Sequence, residues 1–301
     1  MIQEIPKAHP RVRPYHVPNS LDPACDTCPR GAGLSLTVLF FGVGERSFLS
    51  KTVRYSRRES RFPSALAAAL VRGPHDCCRT ELLLVKHDAA STIGENAAAA
   101  AARIDAIIKR AVKRYDWLLK INLHIVGFSA GGLLALDTAS RIDVSTRVRT
   151  KQWCGNEMPR EVPVEMDLVT MATPFNLSIT IASTIVTGLP WTYESSVGAS
   201  EYRAPAPDKV CSFTALVSSA RHGDETAGAD RDPSADPRLN ALLSGLNPTK
   251  KRIVKLRDTY RPNDPDDAKD PQHVSHLEVL EKSLADFPWA LVPRCSCVQT
   301  F

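Results

Sequence analysis

Gly127-Phe128-Ser129-Ala130-Gly131 interrupts the segment LHIVGFSAGGLLALDTA (123–139) and sets a hydroxyl between two glycines. Six strand-forming residues, INLHIV (121–126), run into it, and a helix-like apolar pattern leaves it at Ala130. A strand-to-helix turn this sharp brings backbone close to backbone, so a Cβ at either outer position would clash. The serine is forced into an unfavourable backbone conformation, which is tolerated where something is gained by it. Its hydroxyl then projects above the C-terminal edge of a sheet, beside the free N–H groups of a helix start, which face developing negative charge. The chemistry that suits such a serine is that of a nucleophile held up for use. G-x-S-x-G is also a common pattern, and its bland reading is a Gly-Ser turn with no chemistry. The strand before it and the helix after it are what give it weight.

Alternating strands and helices would hold that corner in place. LSLTVLFFG (34–42), TELLLVKHD (80–88), INLHIV, VEMDLVTMAT (164–173), DKVCSFTALVSS (208–219) and KKRIVKLRD (250–258) read as strands, several of them apolar on both faces. Helices are expected around RFPSALAAALV (61–71), over 91–119, over 130–141, near 235–246 and over 273–287. This order predicts an α/β fold: a single domain with a mostly parallel sheet of about six or more strands, covered by helices on both faces. Residues 1–33, with six prolines, read as an irregular N-terminal arm. The catalytic domain is expected over 34–288, with a lid-like insertion at 174–207, and 289–301 as a C-terminal tail.

With the corner and this element order together, the chain resembles the α/β-hydrolase superfamily, particularly its lipase and esterase branches, over roughly residues 34–287. The resemblance implies a catalytic acid after the strand that follows MAT, and a histidine between the last strand and the last helix. In SARHGDETAG (219–228) it points to Asp224, with Glu225, Asp230 and Asp232 nearby; Asp264 in RPNDPDD is the alternative. In QHVSHLEVL (272–280) it points to His276, which abuts the helix start, with His273 as the alternative. One oxyanion donor would be the Ala130 N–H and the other Val43 or Gly44, in LFFGVGERS. There Phe41 stands where the family usually has histidine. ATPFN (172–176) resembles the family's T-P-H-x-G stretch, from which Phe175 and Asn176 depart. The resemblance implies no cofactor and no metal. His124, in a buried strand, reads as packed rather than catalytic.

Composition narrows the partners. The 301 residues are 43% hydrophobic and 24% charged, with a formal net charge of +5. Basic clusters at 51–61, 109–114 and 250–252 carry few aromatics, which disfavours a nucleic-acid surface; they read as solvated faces or as contacts to anionic head groups. ITIASTIVTGLPW (179–191) has apolar residues at helical spacing, suiting either an acyl-binding lid or a core-facing helix. Beside a lid, the basic 51–61 segment would suit peripheral contact with an anionic membrane. The expected substrate is therefore a lipid or other acyl ester. Thioester hydrolysis or acyl transfer, a secreted phospholipase-type toxin and a non-catalytic binding protein are the competing readings. Without a leader-like h-region or a long apolar span, the expectation is cytoplasmic, with export lacking a cleavable signal left open. Reduced thiols are then expected. Cys25-x-x-Cys28 and Cys295-x-Cys297 read either as unpaired thiols or as a four-sulfur zinc site.

Overall fold

The computed structural model of the chain describes residues 11–15, 33–41, 45–46, 53–54, 57–71, 79–86, 92–115, 118–151, 157–173, 175, 202–218, 233–256 and 278–286. The strands are β1 (Arg11–Tyr15), β2 (Leu34–Phe40), β3 (Glu45–Arg46), β4 (Val53–Arg54), β5 (Arg79–Lys86), β6 (Ile121–Phe128), β7 (Ser145–Lys151), β8 (Glu157–Met171), β9 (Ser212–Ser218) and β10 (Lys251–Leu256). The helices are α1 (Arg57–Val71), α2 (Ile93–Arg114), α3 (Ala130–Arg141), α4 (Asn240–Gly245) and α5 (Glu278–Asp286). One sheet carries the order β1-β5-β2-β6-β8-β9-β10, and β3 and β4 form a separate small ribbon. From β5 to β10 every neighbouring pair on that path is parallel; β1 closes one edge antiparallel to β5. This is an α/β fold with a mostly parallel sheet and both faces covered.

Parallel strands in the middle of a sheet are covered on both faces, so their runs are mostly apolar. Every residue of β2 and of β6 is buried. One face packs Leu36, Val38, Leu123, Ile125, Met166, Leu168, Phe213 and Ala215 against α2 and α3. The other packs Leu39, Val126, Phe128, Val169 and Leu216 against Phe62, Leu66 and Leu70 of α1 and Val279 and Leu280 of α5. Burying one such aliphatic side chain is worth about 1.5–3 kcal/mol. Helix α2 turns the alanine run inward, with Ala97, Ala100, Ala101, Ile104 and Ile108 buried. A reciprocal cap starts it: Glu95 N–H donates to Thr92 Oγ1 at 3.1 Å and Thr92 N–H to Glu95 Oε2 at 3.0 Å. At its far end the Arg160 guanidinium donates to the carbonyls of Val112 (3.2 Å), Tyr115 (3.0 Å) and Leu118. No helix among the described residues is long and apolar enough to cross a membrane.

Two elements differ from the sequence expectation. Residues 11–15 of the arm are a strand, and β1 lies at the sheet's edge, the place in a sheet where a proline such as Pro14 is tolerated. The strand expected at 164–173 begins earlier: β8 spans fifteen residues, and its first half pairs antiparallel with β7 before its second half enters the main sheet. The short helix expected near 235–246 is present as α4, preceded by tight 3₁₀ turns at 233–235 and 237–239.

Candidate active site

Strand β6 ends at Phe128 and helix α3 begins at Ala130, leaving Ser129 as the whole connection. Its backbone is at φ 55° and ψ −134°, a region that L residues avoid. Short bonds hold the corner from both sides. The Ser129 N–H donates to Met171 O at 2.8 Å, and the Ser129 carbonyl accepts from Gly132 N–H at 2.8 Å. The glycines make the approach possible. A Cβ on Gly127 would lie 2.5 Å from Gly132 Cα, and one on Gly131 would strike the carbonyl oxygens of Phe40 and Phe41, the first at 2.5 Å. Gly132, which the pattern did not single out, leaves room for the Thr173 side chain. Ser129 is half-buried and its side chain makes no cap bond to α3.

Ser129 therefore stands at the C-terminal edge of the sheet with its hydroxyl not spent on capping. Ala130, the expected oxyanion donor, is buried as the first residue of α3, a position with no helical carbonyl one turn before it to accept its N–H. The end of β2 abuts Gly131, which brings the chain at Phe41 to the corner, two residues before Val43. Val43 itself lies outside the described residues, as do Asp224, Asp264, His273 and His276. Asp224 follows the last residue of β9 by six positions, and His276 precedes the first residue of α5 by two. Because β6, β8, β9 and β10 are parallel, the chain leaves all of them at the edge that carries Ser129.

The turn after β8 belongs to the site and was only partly legible. Met171 accepts the Ser129 N–H, Ala172 has φ 45°, and the Ala172 N–H donates to Leu216 O at 2.9 Å. The C-terminal ends of β6, β8 and β9 are thus tied in series. ATPFN marked the position of this turn, but nothing in those letters announces a left-handed alanine.

His124 is buried in β6, as expected for a packed residue, and stands in register with Thr37 of β2 and Asp167 of β8. His124 Nδ1 lies 3.3 Å from Asp167 Oδ2, within ion-pair range but off the line of a hydrogen bond. The Ser212 hydroxyl donates to the other oxygen, Oδ1. Burial pushes the Asp167 carboxyl up, but His124, Ser212 and the charge of Lys250 outweigh it and hold it below the ordinary value. Asp167 pairs with Ser212, the first residue of β9, so this group is set back from the edge that carries Ser129.

No protein family matches the chain and no curated protein does. Solved structures match it at a distance. An esterase of Pyrococcus furiosus is 12% identical, with 87% of this chain and 82% of that one covered and a TM-score of 0.45. The esterase domain of a Rhodothermus marinus protein is 14% identical over 95% of this chain and 96% of its own, with a TM-score of 0.40. An α/β serine hydrolase of Xanthomonas campestris described as lacking a lid is 15% identical over 87% and 82%, with a TM-score of 0.36.

Proposed function

We propose that this chain, an α/β-hydrolase-type fold by its parallel sheet and its serine corner, is a serine hydrolase of carboxylic esters. One observation carries the reading: Ser129 is held at φ 55° between β6 and α3, at the C-terminal edge of the sheet. Ser129 Oγ attacks the ester carbonyl while His276 takes its proton, and Asp224 holds the imidazole in the required tautomer. The oxyanion is met by the Ala130 N–H and a donor at Val43. The C–O bond then breaks, the departing alcohol takes the proton from His276, and the acyl group stays on Ser129. Water repeats the sequence: His276 removes its proton, the acyl–serine bond breaks, and Ser129 recovers its hydrogen. Asp264 and His273 are the alternative acid and base. The substrate class is a lipid or other acyl ester, a choice supported by the apolar spacing in 179–191.

Labelling with a fluorophosphonate, comparing the native protein with Ser129→Ala, tests this directly. Labelling that disappears with that one change supports an activated serine, and p-nitrophenyl esters of rising chain length then read acyl preference. A folded native protein that neither labels nor cleaves any such ester overturns the reading.

A further inference from the structure

The turn that receives the Ser129 N–H is itself pinned by a group the hydrolytic scheme does not use. Asp236 is fully buried, and its carboxylate accepts four hydrogen bonds. Oδ1 takes the Arg238 N–H at 3.0 Å and Arg238 Nε at 2.8 Å, while Oδ2 takes Arg238 Nη2 at 2.8 Å and the Tyr202 hydroxyl at 2.6 Å. The guanidinium also lies over the Tyr202 ring, 4.3 Å from its centroid. Its Nη2 donates once more, to the Phe175 carbonyl at 3.0 Å. A planar fork grips both carboxylate oxygens through two nitrogens and keeps a further N–H for the backbone carbonyl; an ammonium, with one nitrogen on a shorter stem, cannot match all three bonds.

Phe175 is where that fork reaches the site. Its residue is buried in the core on the α3 side. Two residues upstream, the Thr173 side chain occupies the niche over Gly132. Two further upstream, Met171 accepts the nucleophile's own N–H. Between them sits Ala172 in its strained conformation. We propose that Arg238 is a positioning residue for Ser129: by fixing the Phe175 carbonyl, it holds the β8 turn against the α3 start and so keeps the serine corner in its attacking geometry. The consequence for rate rests on the hydrolase reading; the mechanical link between Arg238 and the corner does not.

The test uses the full chain and three variants. Arg238→Lys keeps a positive charge beside Asp236, so the fold survives, but it cannot also reach Phe175. Arg238→Met removes every donor. Val112→Ala, in the last turn of α2 just before β6 begins, is a loss from the same core away from the corner. Hydrogen exchange is followed in peptides covering 127–133 and 171–175, together with the kinetics of fluorophosphonate labelling. In Arg238→Lys those peptides are expected to exchange about tenfold faster than in Val112→Ala. The maximal labelling rate should fall about tenfold or more with the reagent's half-saturation unchanged, as misplacement of a reacting group produces. Arg238→Met should show the same changes in larger degree. Exchange that rises no more than in Val112→Ala overturns the proposal, and so does an unchanged labelling rate in a variant whose corner exchanges faster. Failure of the hydrolase reading looks different: the native protein does not label, while the exchange comparison still decides whether Arg238 holds the corner.

Discussion

Replacing Ser129 by glycine should make the protein more stable than replacing it by alanine. Both changes remove the hydroxyl, so whatever its loss costs is common to the two variants. The backbone separates them. At φ 55° and ψ −134° a residue with a Cβ carries about 1–3 kcal/mol of strain, and glycine carries almost none. Against that, glycine's greater freedom in the unfolded chain costs about 0.5–1 kcal/mol. Taking the middle of each range, Ser129→Gly stands ahead of Ser129→Ala by about 1 kcal/mol. For a chain of this size that corresponds to roughly 1–4 °C in melting temperature, measurable by calorimetry and checked by urea midpoint at constant slope. Both variants should fail to label with fluorophosphonate, so they differ in stability and not in reactivity. A glycine variant no more stable than the alanine variant would falsify the claim that Ser129 is held against its conformational preference. The nucleophile reading would then lose its main support.

Gly131→Ala should destabilise by about 1–3 kcal/mol and slow ester hydrolysis, because the new methyl meets the rigid carbonyls of Phe40 and Phe41; wild-type turnover in that variant would refute the close packing. Asp236→Asn should lower stability by about 2–4 kcal/mol at pH 7, since it breaks a buried pair. Burial alone would raise the Asp236 carboxyl, but Arg238 and Tyr202 hold it below the ordinary value. The folded form therefore binds protons less readily than the unfolded one. That contribution is present above about pH 4 and is lost as pH falls through the depressed folded value. The stability gap between native protein and variant should narrow in acid, as read from denaturant midpoints at neutral and acid pH, and a gap independent of pH would count against it. Arg160→Ala should cost about 1–3 kcal/mol and speed amide exchange around 112–118, because it strips the carbonyls at the end of α2 of their donor; labelling of Ser129 should be unaffected.

What could be read from the letters was what repeats or what is sterically compelled. The buried strands were legible because both their faces are apolar, and α2 because its alanines and isoleucines keep one face. The corner was legible because only glycine fits at 127 and 131 between a strand and a helix. The edge strand at 11–15 was hidden by its proline, which a sequence pattern reads as a break although an edge position tolerates it. The Asp236–Arg238–Tyr202 group has no period to betray it: its members lie in irregular segments 34 residues apart and meet only because the chain returns from β8 to the start of α4. The short-range part carried a signal, since Asp-Pro-Arg sets a side-chain cap over the next turn. Its link to Phe175 is purely tertiary. Asp224 and His276 were reached through resemblance rather than through pattern, and they lie outside the described residues.

The contrast between two serines shows what the conformation adds. Ser212, Asp167 and His124 are the residue types of a hydrolytic triad, and they sit together within one sheet. The carboxylate stands between the other two, however, so the Ser212 proton is given to Asp167 rather than to a histidine. His124 faces the opposite oxygen of the same carboxylate and, among the described residues, meets no hydroxyl within hydrogen-bonding geometry. Ser212 opens a regular strand and is absent from the left-handed residues. Ser129 differs on each point. Its backbone is strained, its hydroxyl is not spent on a cap, its N–H is tied to the next strand, and the first turn of α3 begins at the following residue. Residue type alone would rank the two alike; the strained corner, and the tied strand ends that sustain it, single out Ser129.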